Sequence, residues 1–320
     1  MKPIALSFFT AVTLVFLLLN PAYSEVTINK SVLDKDTTWQ GEILITGDVE
    51  VAKGATLTIM PGSTIRFAKI EEFGSEKLSQ DKLSHFPRAE LIVRGHLYAQ
   101  GTPNNKITFT SAEKTPHPGD WGSINLLDTN DNIIEYCIIK YAHTGVHAHS
   151  AQVVVAQSEF HNNSVAIGQK NLKTSAYKSV LPMLYNTITE NGGGILYGGG
   201  STPIISHNEI NNNKFFGIYA KKGGLANVRY NNITGNGKGV IFFKVKTIHL
   251  RDNNISDNKD YNISMLEGQA SDINVSGNYW GTTDKGAIKK LIKDHDWDET
   301  LGAVDFSDFL QSPVDGAGLN

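Results

Sequence analysis

Apolar residues recur along the middle of the chain at nearly constant intervals. The phrase Asn-x-Ile-x-x-Asn occurs four times, and a weaker copy begins at Ser158. Successive aligned apolar residues are 22, 28, 22, 23 and 22 residues apart. They are Ile138, Phe160, Ile188, Ile210, Ile233 and Ile255. A nearly fixed interval of this kind indicates a repeat architecture in which each unit stacks on its neighbours.

Each repeat contains three short segments in which apolar and polar residues alternate. A period of two predicts strands, and the Asn and Gly residues between the segments predict tight turns. Three strands bury their apolar faces only if successive coils stack at the strand spacing of about 4.8 Å. The pattern therefore predicts an all-β fold, a single-stranded right-handed parallel β-helix with three strands in each coil of about 22 residues.

One column of asparagines is expected to hold a corner of the coils together. Its members are Asn186, Asn208, Asn231 and Asn253. Asparagine tolerates the left-handed backbone conformation that a tight corner requires. Stacked amides can also donate hydrogen bonds from one coil to the next. We therefore predict a structural ladder along this corner.

The two ends of the repeat region differ from its middle. In the first half of the chain, apolar and polar residues also alternate, but the strand-like segments are less evenly spaced. The charged segment 69–88 is predicted to be a surface insertion. Residues 282–294 have a helical pattern, so 282–313 should form a C-terminal cap that covers the open end of the core. The β-helix domain then spans 25–313, and 314–320 form a flexible tail.

The first residues have the features of an export signal. Lys2 precedes an apolar run from Ile4 to Leu19, and small residues precede a cleavage site after Ser24. This arrangement is typical of a secretory signal peptide, which we place at residues 1–24. The apolar run is shorter than the span of about 20 residues that a membrane helix needs. We expect an exported protein, periplasmic or extracellular, with no transmembrane segment after cleavage.

Composition narrows the range of functions. The 320 residues carry a formal charge of −3 and include one cysteine. A weakly acidic chain has no overall field to attract nucleic acid, so no nucleic-acid partner is expected. A single cysteine excludes an internal disulfide framework and any metal or redox site of the CxxC type.

Two segments and the Asn-x-Ile turns carry a resemblance to a known group. The opening Gly-Ala-Thr-Leu-Thr-Ile-x-Pro-Gly at 54–62 and the ending Gly-Asn-Tyr-Trp-Gly-Thr-Thr-Asp at 277–284 resemble secreted right-handed parallel β-helix repeat proteins. This is the pectin-lyase-like fold group, and the repeats are most similar to its periplasmic copper-protein-maturation branch. The resemblance covers nearly all of residues 37–313. It implies a fold rather than an activity, because the group includes lyases, hydrolases, epimerases and non-enzymatic surface proteins.

Basic and aromatic residues that recur at the coil interval form a candidate ligand site. The set is Tyr219, Lys221, Lys222, Arg229, Phe243, Lys244, Lys246 and Arg251. Guanidinium groups pair with carboxylates and aromatic faces pack on sugar rings, so these residues could bind an anionic sugar chain. The alternative is an ordinary exposed sheet on which cations prevent aggregation.

Histidines form a second candidate site. His143, His147 and His149 are close in sequence, and His161 follows one coil later. His147 and His149 would share a strand face, about 7 Å apart along it. Imidazoles suit copper or zinc, and the resemblance to the copper branch favours that interpretation. The spacing matches no standard zinc motif, and the alternative is a group of polar turn residues.

No pair of carboxylates converges in the predicted repeats. The outward column beside the core is expected to contain Leu196, Tyr219, Ile241 and Ser264. A hydrolase needs two neighbouring carboxylates, and a lyase of this fold would be expected to hold calcium with acidic residues. The pattern therefore favours a protein without catalytic activity.

Three functions remain open at this stage. The first is a non-catalytic, rigid surface or periplasmic scaffold that binds polysaccharide or another cell-envelope component. The second is a carbohydrate-active enzyme, a polysaccharide lyase or a hydrolase, with Ca²⁺ as its cofactor if it is a lyase. The third is a periplasmic metal-handling protein that holds copper or zinc at the histidines. The pattern requires no cofactor and does not define the oligomeric state.

Overall fold

The chain winds through three long parallel sheets, adding one strand to each sheet in every coil. The computed structural model describes residues 24–70, 88–172, 175 and 177–319. Every pairing within the three sheets is parallel, and neighbouring strands come from successive coils. The predicted parallel β-helix is confirmed. The predicted signal peptide and surface insertion lie outside the described residues, apart from Ser24, Lys69, Ile70 and Arg88 at their margins.

Within the described residues, three sheets can be traced coil by coil. Sheet A contains Val26–Ile28, Glu42–Ile45, Thr64–Phe67, Ile107–Ser111, Cys137–Lys140, Glu159–His161, Thr187–Thr189, Glu209–Asn211, Asn232–Thr234 and Asn254–Ser256. Sheet B contains Ser31–Leu33, Val49–Val51, Leu91–Val93, Trp121–Leu127, Ala142–His149, Val165–Lys170, Gly193–Gly198, Phe216–Lys221, Lys238–Phe243, Tyr261–Met265 and Ile292–Lys293. Sheet C contains Thr37–Trp39, Thr56–Ile59, His96–Gln100, Asn132–Glu135, Val153–Ala156, Pro182–Leu184, Ile204–Ser206, Asn227–Arg229 and His249–Leu250. A short separate pair joins Ile273–Asn274 to Val304–Asp305.

The core consists of apolar columns that run the length of the three sheets. In sheet A, Ile188, Ile210, Ile233 and Ile255 are register partners on successive coils, and all four are fully buried. An equivalent apolar column runs through sheet B. It contains Val146, Ile167, Ile195, Ile218, Val240 and Ile263.

One member of the sheet A column is displaced by a residue from its predicted position. Phe160 pairs with Ile139, which is fully buried, and Ile138 pairs with Glu159. The prediction of Ile138 in this column was therefore wrong. In a strand, a shift of one residue moves a side chain to the opposite face. Because Ile138 and Ile139 are both apolar, the sequence did not show which of them faces the core.

In the described part of the chain, two asparagine ladders run through corners of the β-helix, one more than predicted. The predicted ladder is present between sheets C and A: Asn186 donates through Nδ2 to Asn208 Oδ1 at 3.0 Å, and the pattern continues to Asn278. A second ladder lies between sheets A and B. It contains Asn163, Asn191, Asn213, Asn236 and Asn258. All ten amide side chains are almost completely buried.

The left-handed backbone conformation occurs at the residue before each ladder asparagine, and not at the asparagine itself as predicted. Tyr185, His207, Tyr230 and Asp252 have φ between 56° and 58°, and each directly precedes a ladder asparagine. The left-handed residue turns the chain outward, which leaves the following asparagine pointing inward. There its amide accepts and donates bonds along the corner.

The C-terminal segment closes one end of sheet B. The helix α1 spans Lys285–Lys290, and the Asp284 side chain caps it by accepting from two backbone amides at 2.7 and 3.0 Å. The helix is shorter than predicted because Ile292–Lys293 form a strand that pairs with the last full coil. None of the helices in the described part of the chain has the length and apolar character of a membrane span.

The segment that the sequence predicts as a flexible tail makes hydrogen bonds to the β-helix. The Val314 amide donates to Asn254 Oδ1 at 2.8 Å, and the Gly318 amide donates to the Tyr230 carbonyl at 2.9 Å. Because these bonds use outward groups of sheet A and its corner, the tail lies along the outside of the β-helix. It therefore covers part of sheet A.

The ladder should contribute strongly to stability, which Asn231→Ala tests. The Asn231 amide bonds to Asn208, to Asn253 and to the carbonyls of Ile205 and Arg229 at 2.8–3.0 Å. The substitution leaves several buried polar groups without partners, and we expect a loss of about 3 kcal/mol in unfolding free energy. Urea denaturation followed by circular dichroism measures this loss.

Asn227→Ala is the matched control, since Asn227 is exposed and lies on a nearby strand of sheet C. Its unfolding free energy should change by less than about 0.5 kcal/mol. Equal losses in the two variants would show that the buried amides do not stabilise the coil register.

Candidate groove on sheet B

The outward face of sheet B carries one side chain from each coil in register. Leu196 pairs with Tyr219, Tyr219 with Ile241, and Ile241 with Ser264. The four residues of the predicted outward column are therefore in register, but Ile241 and Ser264 are buried. Next to it, Lys221 pairs with Phe243 on the following coil. Apolar, aromatic and cationic side chains thus lie side by side on this face.

A groove of about 460 Å³ crosses this face. Glycine occupies two outward positions of its floor, Gly168 and Gly198, where neighbouring coils carry side chains. A Cβ atom at Gly168 would approach the His147 ring to 2.9 Å, and one at Gly198 would approach Lys221 Cβ to 2.8 Å. The two glycines therefore leave room for a ligand between larger side chains.

Tyr219 and Phe243 supply the aromatic surface of the groove. Lys221 Nζ lies 4.9 Å from the centre of the Tyr219 ring, and Lys244 Nζ lies 5.0 Å from the centre of the Phe243 ring. Tyr219 also meets Phe216 edge to face, with ring centres 5.6 Å apart. These contacts hold cations beside aromatic faces, an arrangement that restricts both groups.

The groove is positively charged. Lys170, Lys221 and Lys222 border it, and no carboxylate occurs among the described residues that line it. Calcium binds through oxygen ligands, above all carboxylates. Three neighbouring cations also repel a divalent ion. The groove therefore does not fit the calcium site that the resemblance implies for a lyase.

His147 and His149 meet at one end of the groove. Their Nε2 atoms are 2.8 Å apart, and the rings meet edge to face with centres 3.9 Å apart. Burial lowers the pKa of His149 to about 3 and, with the nearby charges, places the pKa of His147 well below its usual value. Both rings are neutral at pH 7, so one Nε2–H donates to the other ring nitrogen.

The other two histidines of the predicted set lie elsewhere. The His143 ring is exposed and contacts Thr144 at 3.3 Å. His161 is on sheet A, where it pairs with Glu159 at 3.0 Å. In the described part of the chain, no group of three or more His, Cys, Asp or Glu side chains could hold a metal ion. The structure brings together two imidazoles, His147 and His149, which are ligand types that copper and zinc bind.

The two arginines of the predicted ligand set lie apart from the groove. Arg229 ends a sheet C strand, and its Nε and Nη2 donate to Asp252 Oδ2 at 3.0 and 2.6 Å. Arg251 follows the next sheet C strand, and 63% of its side chain is exposed. The regular interval placed the arginines in one column, but that column belongs to a different sheet.

The remaining lysines of the set lie next to the groove. Lys244 and Lys246 border a separate recess of about 380 Å³ at the corner between sheets B and C. Lys222 lines both the groove and this recess. The predicted set therefore contributes Tyr219, Lys221, Lys222 and Phe243 to the groove itself.

Sequence reasoning missed Lys170 and the two floor glycines. Gly168 and Lys170 belong to the coil of 28 residues, so counting by 22 does not align them with the others. The signal that could have placed them is the apolar residue Ile167, which is fully buried in the core. Alternation from Ile167 puts Gly168 and Lys170 on the outer face of the same strand.

Two family models match this chain. The model described as "Right handed beta helix region" matches residues 171–289, and the model described as "Pectate-lyase like beta helix domain" matches residues 27–133. The chain is a pectate-lyase-like right-handed parallel β-helix protein. No curated protein and no solved structure shows significant similarity to this β-helix protein. The matches confirm the resemblance at the level of the fold group and the handedness of the β-helix.

The buried histidine should make the stability of this β-helix protein depend on pH. The pKa of His149 is about 3 in the folded state, against an ordinary value of 6.5. Between these values the unfolded state binds a proton that the folded state does not, so stability rises with pH. We expect His149 to account for a loss of about 2 kcal/mol between pH 7 and pH 5.

Urea midpoints of the wild type and His149→Gln at the two pH values measure this effect. The variant should lose less stability on acidification than the wild type. His249→Gln, at an exposed position, serves as the control and should behave like the wild type. Identical pH dependence in all three proteins would contradict the assignment of this effect to His149.

Proposed function

We propose that this β-helix protein is an exported, non-catalytic scaffold that binds an anionic polysaccharide along the groove of sheet B. The observation that carries the proposal is the lining of the groove: three lysines beside Tyr219 and Phe243, without a carboxylate among its described residues. Polysaccharides that contain uronic acids present a carboxylate on each ring and an apolar face of C–H groups. The groove offers a complement to both.

The geometry supports a chain ligand over an isolated anion. The groove lies across strands of five successive coils, so its side chains repeat at about 4.8 Å. Lys170 and Lys221 are outward residues of different coils, as are Leu196 and Tyr219. A sugar chain that runs along the β-helix axis can therefore meet a cation and an apolar surface repeatedly.

Export is supported by the fold group and by the sequence of the first residues. Pectate-lyase-like β-helices are typical of exported proteins. An apolar run with the features of a secretory signal precedes the described β-helix. Polysaccharides and other envelope components would then be available as ligands.

Lys221→Gln should weaken binding of polygalacturonate and alginate about five- to tenfold. The substitution removes a charge that faces the groove but keeps a polar side chain of similar length. Neutral glucans should bind weakly to the wild type and the variant alike. Isothermal titration calorimetry at low salt measures the affinities, and added salt should reduce them because these contacts are electrostatic.

Lys259→Gln is the matched control. It removes the same charge from an exposed position that does not line the groove. This variant should bind the anionic polymers like the wild type. Equal weakening in the two variants would indicate that net charge, not the groove, determines binding. If the wild type bound neither polygalacturonate nor alginate, the proposal would be overturned.

The second candidate function is a polysaccharide lyase, favoured by the neutral imidazole at the edge of the groove. His147 lines the groove, and burial lowers its pKa, so its ring is neutral at pH 7; its Nε2 lies 2.8 Å from His149 Nε2. In such a lyase His147 would remove the proton at C5 of a uronate, the C4–O4 bond would break, and the departing oxygen would take up a proton. No calcium is required in this scheme.

Incubation of the wild type with polygalacturonate and alginate distinguishes the two functions. The scaffold proposal predicts binding without new absorbance from unsaturated uronates. Steady release of unsaturated product by the wild type, abolished in His147→Gln and retained in Lys259→Gln, would instead establish the lyase.

A further inference from the structure

A second recess lies at the corner between sheets C and A, on a different side of the β-helix from the groove. Five successive coils place Tyr136, Gln157, Tyr185, His207 and Tyr230 at the same corner position, with φ between 48° and 58°. Their backbone amides donate to carbonyls of the next coil. The side chains at this corner are therefore arranged as a column along the β-helix axis.

Three members of the column stack on one another. The Tyr185 and His207 ring centres are 4.8 Å apart with 24° between the ring planes. The His207 and Tyr230 centres are 5.0 Å apart with 22° between the planes. Each interval matches the strand spacing of about 4.8 Å. Every coil of this part therefore contributes one ring to a continuous stack.

Gln157 interrupts this column. Its side chain is exposed and supplies no ring between Tyr136 and Tyr185, and a cavity of about 490 Å³ opens there. The two tyrosines are two coils apart, or about 10 Å at the strand spacing. A ligand ring at the level of Gln157 would lie about 5 Å from each tyrosine, the same interval that separates the stacked side chains.

The edge of the cavity is polar but balanced in charge. Lys106 and Glu159 form an ion pair there, and Thr187 adds a hydroxyl. Because the two charges offset each other, the cavity requires no net charge on its ligand. A pyranose ring combines apolar C–H faces, which pack on aromatic rings, with a rim of hydroxyls that can bond to an ion pair.

We propose that this cavity binds a neutral pyranose ring between Tyr136 and Tyr185, with its hydroxyls at Lys106 and Glu159. The site differs from the groove of sheet B in location, in charge and in ligand. Its occupation does not depend on binding in the groove. The protein would then contact a second, neutral sugar on another of its faces.

Saturation-transfer NMR on the full chain tests the proposal with three probes. They are methyl β-glucopyranoside, methyl β-galactopyranoside and N-acetylglucosamine. At least one should show transfer to its ring C–H protons. Gln157→Tyr should weaken that binding about tenfold or more, because a tyrosine at this level completes the stack and fills the cavity. Tyr136, Tyr185 and Tyr230 show that tyrosine is compatible with this corner conformation.

Two further variants keep the test independent of the folding of Gln157→Tyr. Tyr185→Gln removes one wall of the cavity and should also weaken binding, and Gln157 itself shows that glutamine is tolerated at this corner. Tyr230→Gln removes a ring from the far end of the stack and should leave binding unchanged. Lys221→Gln, in the groove, should leave it unchanged as well.

Three results would overturn the proposal. The first is absence of transfer to all three sugars. The second is equal binding by the wild type and both cavity variants. The third is transfer to indole, added as a flat aromatic comparator, without transfer to any sugar, which would assign the cavity to aromatic rings instead.

Discussion

The register between successive coils depends on buried amides at two corners. In each ladder, an asparagine oxygen accepts from the backbone and side-chain amides of the preceding coil, while its own nitrogen donates to the next. These groups are removed from water, so a shifted coil would leave several of them without partners. Since register determines which residues stack outside as well as inside, the surface columns depend on the same interaction.

The groove of sheet B illustrates this dependence. It exists because glycines stand at outward positions in register with larger side chains, and because cations from different coils face the same space. The acid beside the predicted arginines, Asp252, lies at the corner that follows sheet C, where it binds Arg229. The described lining of the groove therefore combines lysines with aromatic surface and contains no carboxylate, which favours an anionic, apolar-faced chain as ligand.

The fold was largely predictable from the sequence, whereas the site was predictable only in part. Apolar and polar residues alternate within each strand and recur about every 22 residues because the coils stack on one another. The core columns and one asparagine ladder could therefore be predicted from this pattern. Arg229 and Arg251 are one coil interval apart, as predicted, but they lie at sheet C and not at sheet B. A regular interval shows that residues stack in a column, but it does not show which sheet carries the column. The stacked rings at Tyr185 and His207 were missed, since the left-handed residue was expected to be the neighbouring asparagine.

Lysine footprinting tests whether an anionic polysaccharide binds in the groove. The full chain is acetylated for a short time with and without polygalacturonate, and each lysine is quantified by mass spectrometry. Lys221 and Lys222 should be protected by the polymer, while the exposed Lys259 should not. Protection of Lys259 to the same degree, or unchanged acetylation of Lys221 and Lys222, would contradict binding in the groove.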